Sequence, residues 1–374
     1  MPYKKISRFF KKTKRRKRQK TEKKRRKRKT KISEKKVRKK LFLIKPQTAP
    51  LISPRVENGW ECWQTFNPGV ILLENKVHFL YRAIGNDGIS RFGYAVSSDG
   101  FKLDERLNYP VYQHYEAPHF NLNLFSFASG GSIGGCEDPR LTRVNNEEDI
   151  YMIYTACGRE LRLALTSIKV KDFLNRKWNW KKPVFISPPH QIHKNWVIFP
   201  EKINGKYAIL HSLNPEIQIA YFDSLEFDGK TYIYSNWSPL PQKEYWQWES
   251  QIKGIGPVPL KTKEGWLIFY HGYDKKEPEK YKVGAMLLSL NNPTEVISCA
   301  KEPVIEPNRK YENCGFKPGI VYASGAVIKD EKLLVYYGGA DSYVNVAFCN
   351  LKEFLENLVK ERKPKLKLKR VKTK

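Results

Sequence analysis

Long apolar runs are missing from this chain of 374 residues. The stretch Leu41–Ile44 is too short for a secretory signal core, and nothing approaches the roughly 20 apolar residues of a membrane span. No leader and no membrane span are expected, and a cytoplasmic location follows. Cysteine is sparse and scattered. Cys62, Cys136, Cys157, Cys299, Cys314 and Cys349 form no CxxC pair matched by a His pair. That spacing argues against a zinc framework and for free thiols in a reducing compartment. No metal and no cofactor are expected. Helical periodicity is also scarce. It surfaces in Ser167–Leu174 and in Leu351–Val359, where Leu351, Phe354, Leu355 and Leu358 share a face.

Acidic residues are nearly absent from the two ends. Residues 1–45 hold 25 Lys/Arg against 2 Glu, and residues 360–374 hold 9 against 1. These ends account for the whole formal charge of +31, so residues 46–359 are balanced. Lys11–Lys31 has no apolar side chain to bury, and ordering it would cost entropy without compensation. It is expected to be disordered in isolation and to tether polyanions such as RNA, DNA or anionic lipid, or else to be a merely solvated arm. No aromatic is interleaved with its charges beyond Phe9 and Phe10 just before it, so base-specific reading is not expected. The expected organisation is a basic arm at 1–45, one domain at 46–359 and a basic tail at 360–374.

Strands and turns are abundant. Five cores recur at roughly 55–75 residues: Val70–Ala83, Arg140–Ala156, Val197–Ser212, Gly256–Tyr273 and Gly319–Asp341. Each crosses a tight turn (Glu74-Asn75, Asn145-Asn146, Asn204-Gly205, Glu264-Gly265, Asp330-Glu331) into an aromatic, β-branched strand. Third strands follow at Phe92–Ser97, Leu161–Ser167, Ile217–Phe222, Tyr281–Leu290 and Val344–Phe348. Evenly spaced β units of this kind predict an all-β, five-bladed β-propeller. A sandwich or barrel would leave unexplained the polar residue near each second strand: Arg82, Arg159, His211, His271 and Asp341.

The sharpest chemical signal is Gly134–Arg140, GGCEDPR. Pro139 should hold Asp138 extended, and an acid shielded at a propeller axis would have a raised pKa suited to proton donation. The plain alternative is an Asp-Pro turn with Arg140 in a surface ion pair. Arg82, Arg91, Arg159, Lys194 and His211 form a candidate cationic set, suited to an oxyanion if they converge. Asp274 and Asp341 follow glycine-containing strand ends and suit sugar hydroxyls.

The runs NPGVILLENKVHFLYRA, SRFGYAVSSDG, GGCEDPRLTRV, FPEKINGKYAILH, GWLIFYHGYD, VGAMLLSLNNP and GAVIKDEKLLVYYGGAD together resemble glycoside hydrolase family 130, in the family's order over roughly 60–349. The resemblance implies a five-bladed propeller and inverting phosphorolysis of β-mannosides to α-mannose 1-phosphate, with inorganic phosphate as co-substrate. It implies Asp138 as catalytic acid, acting through the mannose 3-hydroxyl. Arg91, Arg159, Lys194 and His211 become the phosphate group. Asn67, Asp274 and Asp341, with Glu137 beside the acid, become sugar-binding positions, and Arg82, Arg140 and His271 complete the substrate set. His211-Ser212 and Tyr322–Gly325 (YASG) depart from the family pattern, which points to an altered leaving-group site. Members are often oligomers, so a homo-oligomer is expected. Hydrolysis needs a second carboxylate to activate water, whereas phosphate arrives anionic and needs cations to hold it. The competing readings are a β-mannoside hydrolase and a catalytically idle glycan- or polyanion-binding propeller.

Overall fold

The structure, a computed structural model, describes residues 41–48, 50–114, 130–235 and 247–361. The expected disorder and polyanion tether of the arm fall on residues 1–40, outside the described residues, as does the tail after 361.

Each sequence repeat forms an antiparallel unit. Unit one holds β1 (Gln64–Leu73), β2 (Lys76–Ile84), β3 (Ile89–Ser97) and β4 (Glu105–Arg106). Unit two holds β5 (Gly134–Thr142), β6 (Asp149–Cys157), β7 (Leu161–Lys169) and β8 (Val184–Phe185), with helix α1 (Val170–Leu174) after β7. Unit three is β9 (Val197–Ile198), β10 (Tyr207–Ser212) and β11 (Gln218–Phe222). Unit four is β12 (Gln251–Ile255), β13 (Leu260–Thr262), β14 (Gly265–Tyr273), β15 (Lys282–Leu288) and β16 (Val296–Cys299). Unit five is β17 (Val321–Lys329), β18 (Lys332–Gly339) and β19 (Tyr343–Asn350), followed by helix α2 (Leu351–Lys360).

The turns follow from local chemistry. Glu74-Asn75, Asn145-Asn146, Asn204-Gly205 and Asp330-Glu331 all have positive φ at both residues, the type I′ geometry that matches strand twist. At the fifth turn only Gly265 has positive φ, and Thr262 Oγ1 closes it by donating to the Gly265 carbonyl at 2.7 Å.

The architecture is mostly β and propeller-like. Units one and two share a sheet through a short parallel pairing of Ile89–Ser90 with Gly134–Gly135. Beyond that, β5 touches β9, β10 touches β12, β14 and β15 touch β17, and β17 packs on β1. Packing therefore passes from unit to unit and returns to the first. Residues 41–44 and Ile52, the first of them in the stretch assigned to the basic arm by charge, pack onto unit five. Ile44 and Ile52 bridge Phe348 and Val344 of β19, and Leu41 and Leu43 share a core with Phe354, Leu355 and Leu358 of α2. Burying two such leucines contributes roughly 1.5–3 kcal/mol each. Lys45 is drawn in with them. Burial lowers its pKa, and Glu312 opposes that with an ion pair at 2.6 Å.

A buried tyrosine recurs toward the end of four second strands, Tyr81, Tyr154, Tyr270 and Tyr337, whereas in β10 it stands at the start, as Tyr207. Three of them donate to a buried glutamate: Tyr81 to Glu61, Tyr270 to Glu249, and Tyr337 to Glu312. Glu61 is neutralised by Arg106, and Glu312 by Lys45. Glu249 has no cation within ion-pair distance among the described residues, and burial lifts its pKa to about 8.

No helix among the described residues is long and apolar enough to cross a membrane.

Candidate active site

The inner strands β1, β5 and β17 each break register with a bulge: between Phe66 and Gly69, between Glu137 and Arg140, and between Ala323 and Gly325. The inserted residues are Asn67-Pro68, Asp138-Pro139 and Ser324. The bulges nest. A Cβ on Gly69 would lie 2.5 Å from the Pro139 carbonyl, so only glycine lets the first two approach. Ser324 Oγ donates to the Pro68 carbonyl at 2.9 Å. Asn67 and Asp138 take φ of +42° and +53°. Asp138 is therefore not extended, as its following proline predicts. The bulge forces a backbone that costs on the order of 1–3 kcal/mol and turns the carboxylate inward.

This carboxylate is a tenth exposed and faces a cavity of about 510 Å³. Asn67 Nδ2 donates to its Oδ1 at 2.9 Å, and Arg82 Nη1 donates to the same oxygen at 3.2 Å. Burial alone would raise the Asp138 pKa. The charges of Arg82, Arg140 and Lys194 and the Asn67 hydrogen bond outweigh it and hold the carboxyl below its ordinary value. The expectation of a raised pKa is thus reversed.

Glu137 is fully buried behind the cavity wall. It receives Arg82 Nη2 at 3.2 Å and Lys194 Nζ at 2.8 Å, so it fixes two cations relative to Asp138. Ser132 Oγ donates to it at 3.1 Å. Arg82 lies over the Phe66 ring at 4.6 Å. Arg140 is buried rather than in a surface ion pair. It donates to the carbonyls of Asp138 at 2.9 Å and Gly256 at 2.7 Å, clamping the bulge. His271 is buried too, stacked on Tyr322 at 3.9 Å and bonded to the Ala323 carbonyl at 2.8 Å. Burial and Arg140 push its pKa to about 3, so it is neutral. Asp341 lies across the cavity, with Lys317 at 3.4 Å from its Oδ2. Burial raises its pKa, against the pull of Lys317 and Arg82. The two cavity aspartates are thus pushed in opposite directions.

Asn67, Arg82, Asp138, Lys194 and Asp341 line this cavity; Arg91, Arg159, His211 and Asp274 are not among the described residues that line it. Arg91 pairs with Asp87, Arg159 is exposed on the turn after β6, and Asp274 caps a turn by accepting from the Lys276 amide at 3.0 Å. His211 sits on Trp196 and contacts Ser235 Oγ at 2.8 Å. Burial, then the neighbouring His193, lowers its pKa to about 4, so it offers a hydrogen bond and no charge. The five polar strand-end residues are not one equivalent set. Arg82 and His271 directly follow buried tyrosines, whereas Arg159 and Asp341 lie beyond the ends of their strands.

Sequence reasoning missed Asn195, Lys253, Tyr281, Phe316 and Lys317, which also line the cavity. One signal was present: Phe316-Lys317-Pro318-Gly319 repeats Phe66-Asn67-Pro68-Gly69. Lys253 and Tyr281 carry no comparable mark.

The profile of a family described as β-1,4-mannooligosaccharide phosphorylase matches residues 27–361. A 1,2-β-oligomannan phosphorylase of Thermoanaerobacter sp. (strain X514) is 36% identical over 317 residues, covering 81% of this chain and 96% of that protein. A β-1,4-mannooligosaccharide phosphorylase of Ruminococcus albus is 28% identical over 44% of this chain and 50% of its own length. The solved structure of β-1,2-mannobiose phosphorylase from Listeria innocua, in complex with β-1,2-mannobiose, aligns with a TM-score of 0.63 at 25% identity, covering 84% of this chain and 99% of that one. With its bulge-borne Asp138 and this extent of match, the chain belongs to glycoside hydrolase family 130.

Proposed function

We propose that the protein cleaves β-mannosides with inorganic phosphate, inverting the anomeric centre to give α-mannose 1-phosphate. The observation that carries this reading is the Asp138 carboxyl, held by Asn67 and Arg82 on a cavity that Lys194 also lines. A phosphate oxygen attacks the anomeric carbon as the glycosidic C–O bond breaks. The proton of Asp138 passes to the departing oxygen, by way of the mannose 3-hydroxyl as family resemblance implies. The cavity supplies cations, so no protein base is needed to activate the nucleophile.

The lowered pKa of Asp138 fits this chemistry once phosphate is considered. An entering anion offsets Arg82 and Lys194, and the carboxyl then takes up the proton it must donate. Lys194 is the cavity-lining member of the phosphate set, with Arg91, Arg159 and His211 proposed as its outer members. Asn67, Arg82 and Asp341 are proposed to hold the mannose ring. The five units are taken as blades around the axis on which this cavity lies, supported by packing that returns from unit five to unit one.

The test is product analysis with β-1,2- and β-1,4-mannobiose, with and without phosphate. The 1,2 linkage comes first, because the relative named for it matches at the higher identity and over more of the chain. Phosphate-dependent mannose 1-phosphate is expected; equal cleavage to mannose without phosphate would establish a hydrolase instead.

The basic arm 1–45 is proposed to tether the enzyme to a polyanion, supported by its charge alone. Retention of the full chain on heparin that vanishes on deleting residues 1–40 is the expected behaviour. A cytoplasmic location and a homo-oligomer are proposed with it; fractionation and light scattering test them.

A further inference from the structure

The loop between units four and five, residues 306–319, contains one short 3-10 turn (Lys310–Glu312) and no strand. It ends at the cavity, where Phe316, Lys317 and Pro318 line the wall. There it brackets the turn that carries Asp341. The Phe316 amide donates to Ser342 Oγ at 2.9 Å, and the Lys317 amide donates to the Ala340 carbonyl at 2.9 Å. Ala340 and Asp341 both take φ of +50°, a backbone that persists only where its surroundings hold it. Lys317 Nζ then lies 3.4 Å from Asp341 Oδ2.

A buried side chain holds the loop at its other end. Glu312 Oε2 accepts from the amides of Asn308 and Arg309, each at 2.7 Å, and Oε1 accepts from the Tyr337 hydroxyl of β18 at 2.7 Å. The Glu312 carbonyl accepts from the Gly319 amide at 2.9 Å, so this residue ties both ends of the loop. Its cation comes from 267 residues earlier. Lys45 Nζ reaches Glu312 at 2.6 Å, the Glu306 carbonyl at 2.6 Å and Asn308 Oδ1 at 2.9 Å, three acceptors for its three N–H bonds. Arg309 Nη2 donates back to the Lys45 carbonyl at 3.2 Å. Without the ammonium Glu312 would be a buried charge with no partner cation, and the loop it holds would shift. The cations beside the acid are fixed separately, since Arg82 and Lys194 both rest on Glu137.

We propose that Lys45 is a positioning residue for sugar binding: by holding Glu312 it sets the loop that places Lys317 against Asp341. This rests on the β-mannoside reading above, in which Asp341 holds the mannose ring.

The experiment is calorimetric binding of β-1,2-mannobiose and inorganic phosphate, each alone, to the full chain and to Lys45→Met, Leu43→Ala, Lys317→Met and the double variant Lys45→Met/Lys317→Met. In Lys45→Met the mannobiose Kd should rise about tenfold, which corresponds to about 1.4 kcal/mol, and the phosphate Kd should stay within twofold. Leu43→Ala strips a buried side chain from the same segment, so it should lower the melting temperature yet leave both Kd values within twofold. Once Lys317 is removed, adding Lys45→Met should change the mannobiose Kd by less than twofold, because the route is already cut. Should Lys45→Met fail to fold, Tyr337→Phe takes one hydrogen bond from Glu312, and the mannobiose Kd should still rise about threefold with phosphate unchanged. An unchanged mannobiose Kd, an equal loss for both ligands, an equal effect of Leu43→Ala, or additive effects in the double variant would overturn the assignment alone. A wild type that binds no mannobiose would overturn the β-mannoside reading and this assignment with it.

Discussion

Units one and two present the same backbone device with different chemistry. Asn67-Pro68 and Asp138-Pro139 are both bulges with positive φ before proline, and their side chains meet at 2.9 Å. One offers a neutral amide, the other a carboxylate. The amide donates to the carboxylate oxygen and fixes its direction without adding charge. Repetition supplies the geometry, and a change of functional group separates a carboxylate from the amide that holds it. The glutamate–tyrosine pairs vary on the same principle. Glu61 and Glu312 sit against cations, whereas Glu249 has a like burial and no cation among the described residues.

The sharpest way to break the first comparison is Asp138→Asn. It makes the two bulges chemically alike, and kcat should fall by roughly a thousandfold in a protein that still folds, since Arg82 keeps Glu137 as its partner. Turnover within tenfold of wild type would remove Asp138 from the proton transfer. Asn67→Asp makes them alike in the other direction. Activity should drop about a hundredfold, as like charge and a lost donor disturb the acid, and the surviving alkaline limb should move to higher pH because the new carboxylate raises the Asp138 pKa.

Glu137→Gln keeps the shape but releases Lys194 and Arg82 from a shared anion. The KM for phosphate should rise about tenfold through the loosened Lys194, and the KM for mannoside should rise with it through Arg82. In the wild type, the alkaline limb of kcat should lie above that of kcat/KM. The former reports the phosphate-filled site and the latter the free enzyme, where cations hold Asp138 low. Coincident limbs would show that bound phosphate does not restore the proton.

The second comparison is sharpened by stability. Glu61→Gln leaves Arg106 without its buried partner and should cost about 3–5 kcal/mol at neutral pH. Glu249→Gln should do the reverse. The folded state holds a proton up to about pH 8 that the unfolded chain releases near 4.5. Wild-type stability attributable to Glu249 is therefore full below the unfolded value and falls as pH rises toward about 8. The variant should match wild type at pH 4 and melt a few degrees higher at pH 9. A lower melting temperature at pH 9 would mean that Glu249 is ionised and partnered after all.

The repeat count, the strand and turn positions and helix α2 were legible in the sequence, because alternating aromatics, type I′ turn residues and an amphipathic stripe are local. Asp138 was marked by its Glu-Asp-Pro-Arg run before any resemblance, Asn67 only through the ordered resemblance, and Lys317 by a repeated Phe-X-Pro-Gly that went unused. Lys253 was illegible, since a lysine in a polar stretch has no signature until its bulge faces a cavity.

By itself, then, the sequence determined which segments become strands, where they turn and that the charge lies at the ends. Tertiary structure decided the rest. It buried Arg140 and His271 as supports, left Arg91, Arg159, His211 and Asp274 off the described cavity wall, and drew Leu41, Leu43 and Lys45 out of the basic arm and into buried contacts. It also turned the expected rise in the Asp138 pKa into a fall. The physical reason is that burial and charge interaction at a point sum over residues far apart in the chain, and only the folded backbone sets those distances.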